Sequence, residues 1–294
     1  MFNFEFSRLK LEFKALNSFQ TPYFLGSAFR GIMGKNLKKT VCIKPFEESC
    51  KNCDLKTTCP YTVIFETEEV LNYPAKYSIK PPFQVIQLQE NQTISMDITL
   101  LGTTANYWEF IISSFSDILN LGKERYLKLH KIYFYNPIEE KYYPLKKSIP
   151  KFQAKDFLNL QTDKQEITLK LNPTSIKNQN QIVKPQDFNK DILIKAILTR
   201  ISAVAQSYGE KTEKIYIDKE KINIKHQSLK QTILKRYSNR KQRHMNIPAI
   251  EGKLTLTGDL NQIYGLLKII ENINLGKSVS LGLGNVELMS ENKN

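Results

Sequence analysis

The chain has 294 residues, 41% of them hydrophobic, enough for two domains of ordinary size with buried cores. Its 43 Lys and Arg against 29 Asp and Glu leave a net charge of +14, so a polyanion is the natural partner to consider, whether RNA, DNA or an anionic membrane. The most apolar run, Ile192 to Ala205, is interrupted by Lys195 and Arg200. The opening Met1-Phe2-Asn3-Phe4-Glu5 lacks the basic start and apolar centre of a signal peptide, so a cytoplasmic location is expected.

Phe2, Phe4 and Phe6 alternate, then the phase changes to Leu9, Leu11 and Phe13, which predicts a half-buried strand with a bulge. Phe24, Leu25, Ala28, Phe29, Ile32 and Leu37 follow at helical spacing, with Thr21 as the expected N-cap and Pro22 at the first helical position. Arg30, Lys35, Lys38 and Lys39 make this helix basic, and no acidic residue falls between Thr21 and Phe46 to balance it. The bland reading is a solvated face.

The four cysteines come next, Cys42, Cys50, Cys53 and Cys59, spaced C-x7-C-x2-C-x5-C. Thiolates clustered in a reducing compartment point to metal rather than to disulfides. Structural zinc is the first expectation; an iron–sulfur cluster uses the same ligands, and reduced structural cysteines are the third reading.

Strands are expected at Phe83 to Leu88 and Thr93 to Leu101, a helix from about Ala105 to Gly122 capped by Thr103 or Thr104, and a strand at Lys131 to Tyr135. The resulting β-α-β-β-α-β order is the ferredoxin-like unit, shared by RRM domains that bind RNA. Pro144, Pro150 and many lysines mark a linker. The division expected is a first domain over 1–145 carrying the four-cysteine insert at about 42–61, a linker over 146–164 and a second domain over 165–294.

The second half repeats the order. Ile167 to Leu171 opens it, an apolar helix runs from Asp191 to Tyr208, and strand-like segments follow at Lys214 to Ile217, Lys221 to Lys225 and Gly252 to Thr257. A helix capped by Asp259 buries Leu260, Ile263, Leu266, Leu267 and Ile270, and Leu281 to Met289 is the last strand. The fold class is therefore α+β, two tandem ferredoxin-like βαββαβ domains with the cysteine insert in the first.

Two segments of the second half carry chemistry. Lys225 to His244 holds seven Lys or Arg and no acid; within it Arg236, Tyr237, Arg240, Arg243 and His244 mix guanidinium, aromatic and imidazole groups suited to gripping RNA. A solvated basic hairpin is the alternative. The loop Gly276-Lys277-Ser278-Val279-Ser280-Leu281-Gly282-Leu283-Gly284 is no nucleotide P-loop, because Glu271 stands where the first glycine belongs and strand residues follow. Gly276, Gly282 and Gly284 can turn N–H groups toward a phosphate, with Lys277, Ser278 and Ser280 adding a charge and hydroxyls; a glycine-rich turn with an exposed lysine is the alternative.

Taken in order, these motifs resemble the CRISPR-associated precursor-crRNA processing endoribonucleases of the RAMP superfamily. The resemblance spans most of the chain: Phe29-Arg30-Gly31-Ile32-Met33-Gly34 on the first helix, the cysteine cluster ending in Cys59-Pro60-Tyr61, Arg236-Tyr237-Ser238-Asn239-Arg240, Gly258-Asp259-Leu260, and the final Gly-Lys loop ending Leu281-Gly282-Leu283-Gly284. Each motif is weak alone, and their shared order is specific. It implies a nuclease acting on CRISPR repeat RNA, with no metal in the chemistry, by attack of the 2′-hydroxyl on the adjacent phosphate. That leaves a 2′,3′-cyclic phosphate and a 5′-hydroxyl. The other implied reading is a non-cleaving RAMP subunit that holds crRNA among the other subunits of an interference complex; association with a membrane is not expected.

Related proteins often have a histidine on or just after the first helix, and this subgroup often has one where this chain has Asn274. Here only His130, His226 and His244 occur. His244 is the candidate base, and Lys277 with Arg30, Lys35 or Lys39 could stabilise the phosphorane without changing protonation state.

Overall fold

Leu9, Leu11, Phe13 and Ala15 are wholly buried while Arg8, Lys10, Glu12 and Lys14 between them are not, so the period of two makes Asn3–Ala15 a strand, β1, with one dry face. The computed structural model describes residues 3–45, 48–70, 73–210, 215–238 and 242–289. Two units divide the chain: Glu5–Phe152, and Gln153–Asn294 together with Met1–Phe4.

In the first unit β1 is followed by α1 (Gly26–Val41), α2 (Pro60–Ile64) in the cysteine insert, β2 (Tyr77–Lys80), β3 (Thr93–Leu101), α3 (Trp108–Ser113), and the hairpin strands β4 (Tyr126–Asn136) and β5 (Lys141–Pro144). The central path of the sheet runs β2-β3-β1-β4, antiparallel throughout, the ferredoxin-like arrangement. Phe29 of α1 stacks on Phe13 at 5.3 Å and Phe115 meets the same ring edge-on at 5.8 Å, so both helical segments close one face of the sheet. Each such side chain contributes about 1.5–3 kcal/mol on full burial.

Several boundaries differ from expectation for identifiable reasons. No register shift accompanies the phase change after Phe6. Phe6 faces the other side of the sheet, where it meets Phe152 at 6.1 Å, and the register shifts only between Glu12 and Phe13, against β4. Thr21 does not cap α1; its hydroxyl accepts from Ile86 N at 2.9 Å, and the helix begins at Gly26 behind Leu25. Of the strand expected at Phe83 to Leu88 only Gln87–Leu88 forms, paired with Phe19–Gln20 outside the main sheet; the sheet's own strand is Tyr77–Lys80, where every residue is buried and no alternation marks it. Phe83 instead stacks on Phe24 at 5.8 Å. The helix expected as far as Gly122 is a 3-10 turn, Gly102–Tyr107, followed by the short α3, and it leaves Phe110 39% and Ile118 61% exposed. The expected linker holds a short strand, Phe152–Gln153, and a helical turn, Lys155–Leu158.

The second unit contains β6 (Glu166–Thr174), α4 (Lys190–Tyr208), β7 (Ile222–Ser238), β8 (Arg243–Gly258), α5 (Asn261–Ile273) and β9 (Val286–Met289). Its sheet order is β7-β8-β6-β9, the same topology again. The fold is thus α+β, two tandem ferredoxin-like units with the cysteine segment inserted in the first. Lys221 to Lys225 and Gly252 to Thr257 belong to one long hairpin, which the expected strands had split. Asp259 does not cap α5, whose N-cap is Leu260, but accepts from Gln262 Nε2 at 2.9 Å. The last strand begins at Val286, and Val279–Leu281 forms a 3-10 turn before it. Lys214 lies outside the described residues. Among the described residues no helix is long and apolar enough to cross a membrane.

Candidate nucleic-acid interface

The glycine-rich loop is folded on its own backbone. Leu275 N donates to Gly284 O at 2.7 Å, Lys277 N to Ser175 O at 2.8 Å and Gly284 N to Pro173 O at 2.9 Å, which fastens the loop to the end of β6. The N–H groups of Leu281 and Gly282 close the 3-10 turn, and Leu283 N donates to Ser278 O. Gly276 and Gly284 have φ of +80° and +78°, and a Cβ would stand 2.4 Å from Ser175 O at the first and 1.8 Å from Leu275 O at the second. The glycines are therefore needed for close approach of the chain to itself, rather than for turning these N–H groups outward toward a phosphate. Gly282, at φ +95°, ends the 3-10 turn in the left-handed region. Lys277 is exposed, Ser278 half-buried at φ +58° and Ser280 buried. Asn274, where a histidine is common in the related subgroup, is fully buried and donates from Nδ2 to Leu283 O at 2.9 Å.

The basic segment is the arm of the β7–β8 hairpin. Beyond the pair Thr174–Ile250 strand β6 stops, so β8 has only β7 beside it, and Pro248 is tolerated there opposite Ile233. At the tip Tyr237 faces His244, their rings edge-on at 5.2 Å, and Tyr237 donates its hydroxyl to Gln242 Oε1 at 3.0 Å. Arg236 pairs with Met245, and Arg243 with Ser238, across the strands. The structure thus gathers Arg236, Tyr237, Arg243 and exposed His244 at one tip. Arg240 lies outside the described residues. Lys277 sits at the end of the sheet from which the hairpin projects, but His244 is six positions along the strand from Ile250, roughly 20 Å of path. His226, opposite Thr255, is also exposed and stands apart from this tip in the strand register; His130, exposed in β4, belongs to the first unit.

On α1 the basic residues divide. Lys35 and Lys39, four apart, are exposed on one face with Gly31. Arg30 turns inward and lies 4.2 Å above the ring of Phe65, beside buried Tyr77. Burial pushes the Tyr77 hydroxyl up to about 12, against the opposing pull of Arg30. Lys38 is buried and donates to Glu48 O at 3.0 Å. Sequence reading treated these cations as one set; what separates them is the insert that returns over the helix, which the helical spacing alone does not reveal.

Cys42, Cys50, Cys53 and Cys59 are free and half-buried, and Cys50 and Cys59 pack against the core. Burial raises the Cys50 thiol above its usual range. Among the described residues no three His, Cys, Asp or Glu side chains come together as a metal site.

Two ferredoxin-like units, the second with a basic hairpin and a self-bonded glycine loop at one end of its sheet, define the class of this protein. Residues 4–153, half of the chain, match the family model AF_1859_N, described as an N-terminal domain, and residues 170–286 match the model for CRISPR-associated endoribonuclease Cas6. The chain carries a Cas6-type domain in its second unit, joined to an AF_1859_N-type domain in its first. Among solved structures it is similar to Thermus thermophilus Cas6, with TM-score 0.57 and 11% identity over 97% of this chain and 99% of that one. A RAMP protein binding different RNA substrates matches at TM-score 0.54 and 14% identity, covering 97% of this chain and 100% of that one. A partial Cas6-RT-Cas1–Cas2 complex matches at 0.61 and 14%, with 99% of this chain covering 47% of that one. No curated protein matches.

Proposed function

We propose that the protein is a cytoplasmic endoribonuclease that cuts CRISPR repeat RNA within the precursor transcript to release crRNAs. The observation that carries the reading is the Cas6 match over residues 170–286, because that span contains both the hairpin tip and the glycine loop. In the reaction the 2′-oxygen bonds to the adjacent phosphorus and loses its proton to a base. The bond from phosphorus to the 5′-oxygen breaks, and that oxygen takes up a proton. The products are a 2′,3′-cyclic phosphate and a 5′-hydroxyl, and no metal is needed.

Lys277 is assigned to the phosphorane, since it is the exposed cation of a loop whose backbone is fixed. His244, roughly 20 Å of strand from the level of Lys277, is too far to take the proton at the same phosphate and is assigned instead to holding RNA at the tip. Tyr237, Arg236 and Arg243 hold RNA at the hairpin tip by stacking and phosphate contacts, Arg240 is assigned to RNA binding from its sequence alone, and Lys35 and Lys39 are candidates for phosphate contact on α1 of the first unit. Ser278, Ser280 and the glycines shape the loop. Arg30, lying on Phe65, is assigned to seating the insert. Zinc held by the four thiols would be structural, and elemental analysis of the same preparation tests it.

One observation favours the second reading, a crRNA-holding subunit that does not cleave: position 274 is filled by a buried asparagine. Incubation with repeat RNA in EDTA, beside the same RNA with a 2′-deoxy group at the scissile position, separates the two. We expect only the unmodified RNA to be cut, with Lys277→Ala at least about 100-fold slower and His244→Ala weaker in RNA binding rather than in the cleavage step. Tight binding with both RNAs intact leaves the second reading.

A further inference from the structure

Arg200 stands in the buried face of α4 among Leu193, Ile197, Ile201 and Val204 and is itself only 7% exposed. A cation in apolar packing is costly unless its donors are used. Here Nη2 donates to Ile273 O at 3.1 Å and Nε to Asn274 O at 3.3 Å. Those carbonyls end α5, where intrahelical donors run out and the helix dipole is negative. The chain leaves the helix through Asn274 at φ +62° and enters the glycine loop at once. Leu275 N to Gly284 O, and Asn274 Nδ2 to Leu283 O, tie the loop shut directly beyond the gripped carbonyls. Lys277 follows three residues after Asn274.

We infer that Arg200 is a positioning residue: by holding the last carbonyls of α5 it fixes the exit angle of the glycine loop and so the location of Lys277. This rests on the assignment of Lys277 to the phosphorane made above. Packing alone does not call for arginine here. A buried ion replaced by a well-fitting apolar side chain is often neutral or stabilising, so a Met or Leu would join α4 to α5 at lower desolvation cost. What the apolar residue would lack is direction, two donors aimed at two successive carbonyls.

The test compares Arg200→Met, Arg200→Lys, Lys277→Ala and the Arg200→Met/Lys277→Ala double variant. Amide exchange is followed at Leu275, Lys277 and Gly284, with single-turnover cleavage of repeat RNA and the Kd for that RNA. Arg200→Met is expected to exchange about tenfold faster at those amides than wild type. It should cleave about 100-fold more slowly, with Kd changed by less than about threefold, and Arg200→Lys should recover part of the rate. Because Arg200 acts through Lys277, the double variant should cleave no more slowly than Lys277→Ala alone.

Unchanged exchange in Arg200→Met, or wild-type cleavage by it, overturns the inference, as do fully additive losses in the double variant. If Arg200→Met does not fold, Arg200→Lys is read in its place on the same criteria. If wild type binds but does not cleave, the assigned activity fails, and the exchange at the three amides alone decides whether Arg200 holds the loop.

Discussion

Gly34 lies on α1 beneath the ring of Phe65, and a Cβ there would stand 2.2, 2.6 and 2.7 Å from three of its ring atoms. The ring has little freedom to move, being stacked with Tyr61 at 5.4 Å and held under Arg30. Two effects of Gly34→Ala oppose each other: about 1 kcal/mol gained in helix propensity and about 1–3 kcal/mol lost to overpacking. We expect the second to win, giving a net loss of about 1 kcal/mol or more in urea unfolding. Gly31, exposed and with no atom within 4 Å of its Cβ position, is the control, and Gly31→Ala should be stabilising. Within the Phe-Arg-Gly-x-x-Gly motif Phe29 is therefore core, Arg30 and Gly34 pack under the insert, and the exposed Lys35 and Lys39 beyond it are the residues proposed for RNA contact.

Among the elements, the insert shows how packing and metal divide the work. Val63 N donates to Cys59 O and Phe65 N to Tyr61 O in a turn whose side chains reach the core, whereas Cys53 N and Lys56 N close exposed turns. If the proposed zinc is present, chelation should therefore raise exchange at Cys53 and Lys56 while Val63 and Phe65 stay protected; loss of all four together would mean that the metal holds the whole insert. Elements of this kind were legible where burial was one-sided. β1, α5 and β6 announced themselves by period, and the repeated βαββαβ order followed. Tyr77–Lys80 is buried on both faces, and the hairpin arm is mostly exposed on both, so neither shows the contrast that marks a strand. Of the candidate site, the basic tip and the loop were visible as composition. The inward turn of Arg30 and the grip of Arg200 were not, since both depend on segments far away in sequence.

At the scale of the molecule, a net charge of +14 makes RNA affinity an ionic-strength property. Binding of repeat RNA should fall linearly on logarithmic axes with salt, by about 0.7–0.9 in slope for each phosphate neutralised. Lys277→Ala should reduce that slope by about one such contact, and a slope unchanged by the substitution would place Lys277 away from the RNA. The same charge has a second use along β7. That strand is the outer one of its sheet, and Ile222–Ser238 contains Lys225, Lys230, Lys235 and Arg236 with no acidic residue. Its open backbone row is a template on which another chain could add, and repulsion between like-charged edges keeps copies apart. At about 1 M salt the Debye length shrinks to about 3 Å. Buffers strong enough to strip nucleic acid from the protein also silence its guard against self-association, so purification and shelf life pull in opposite directions.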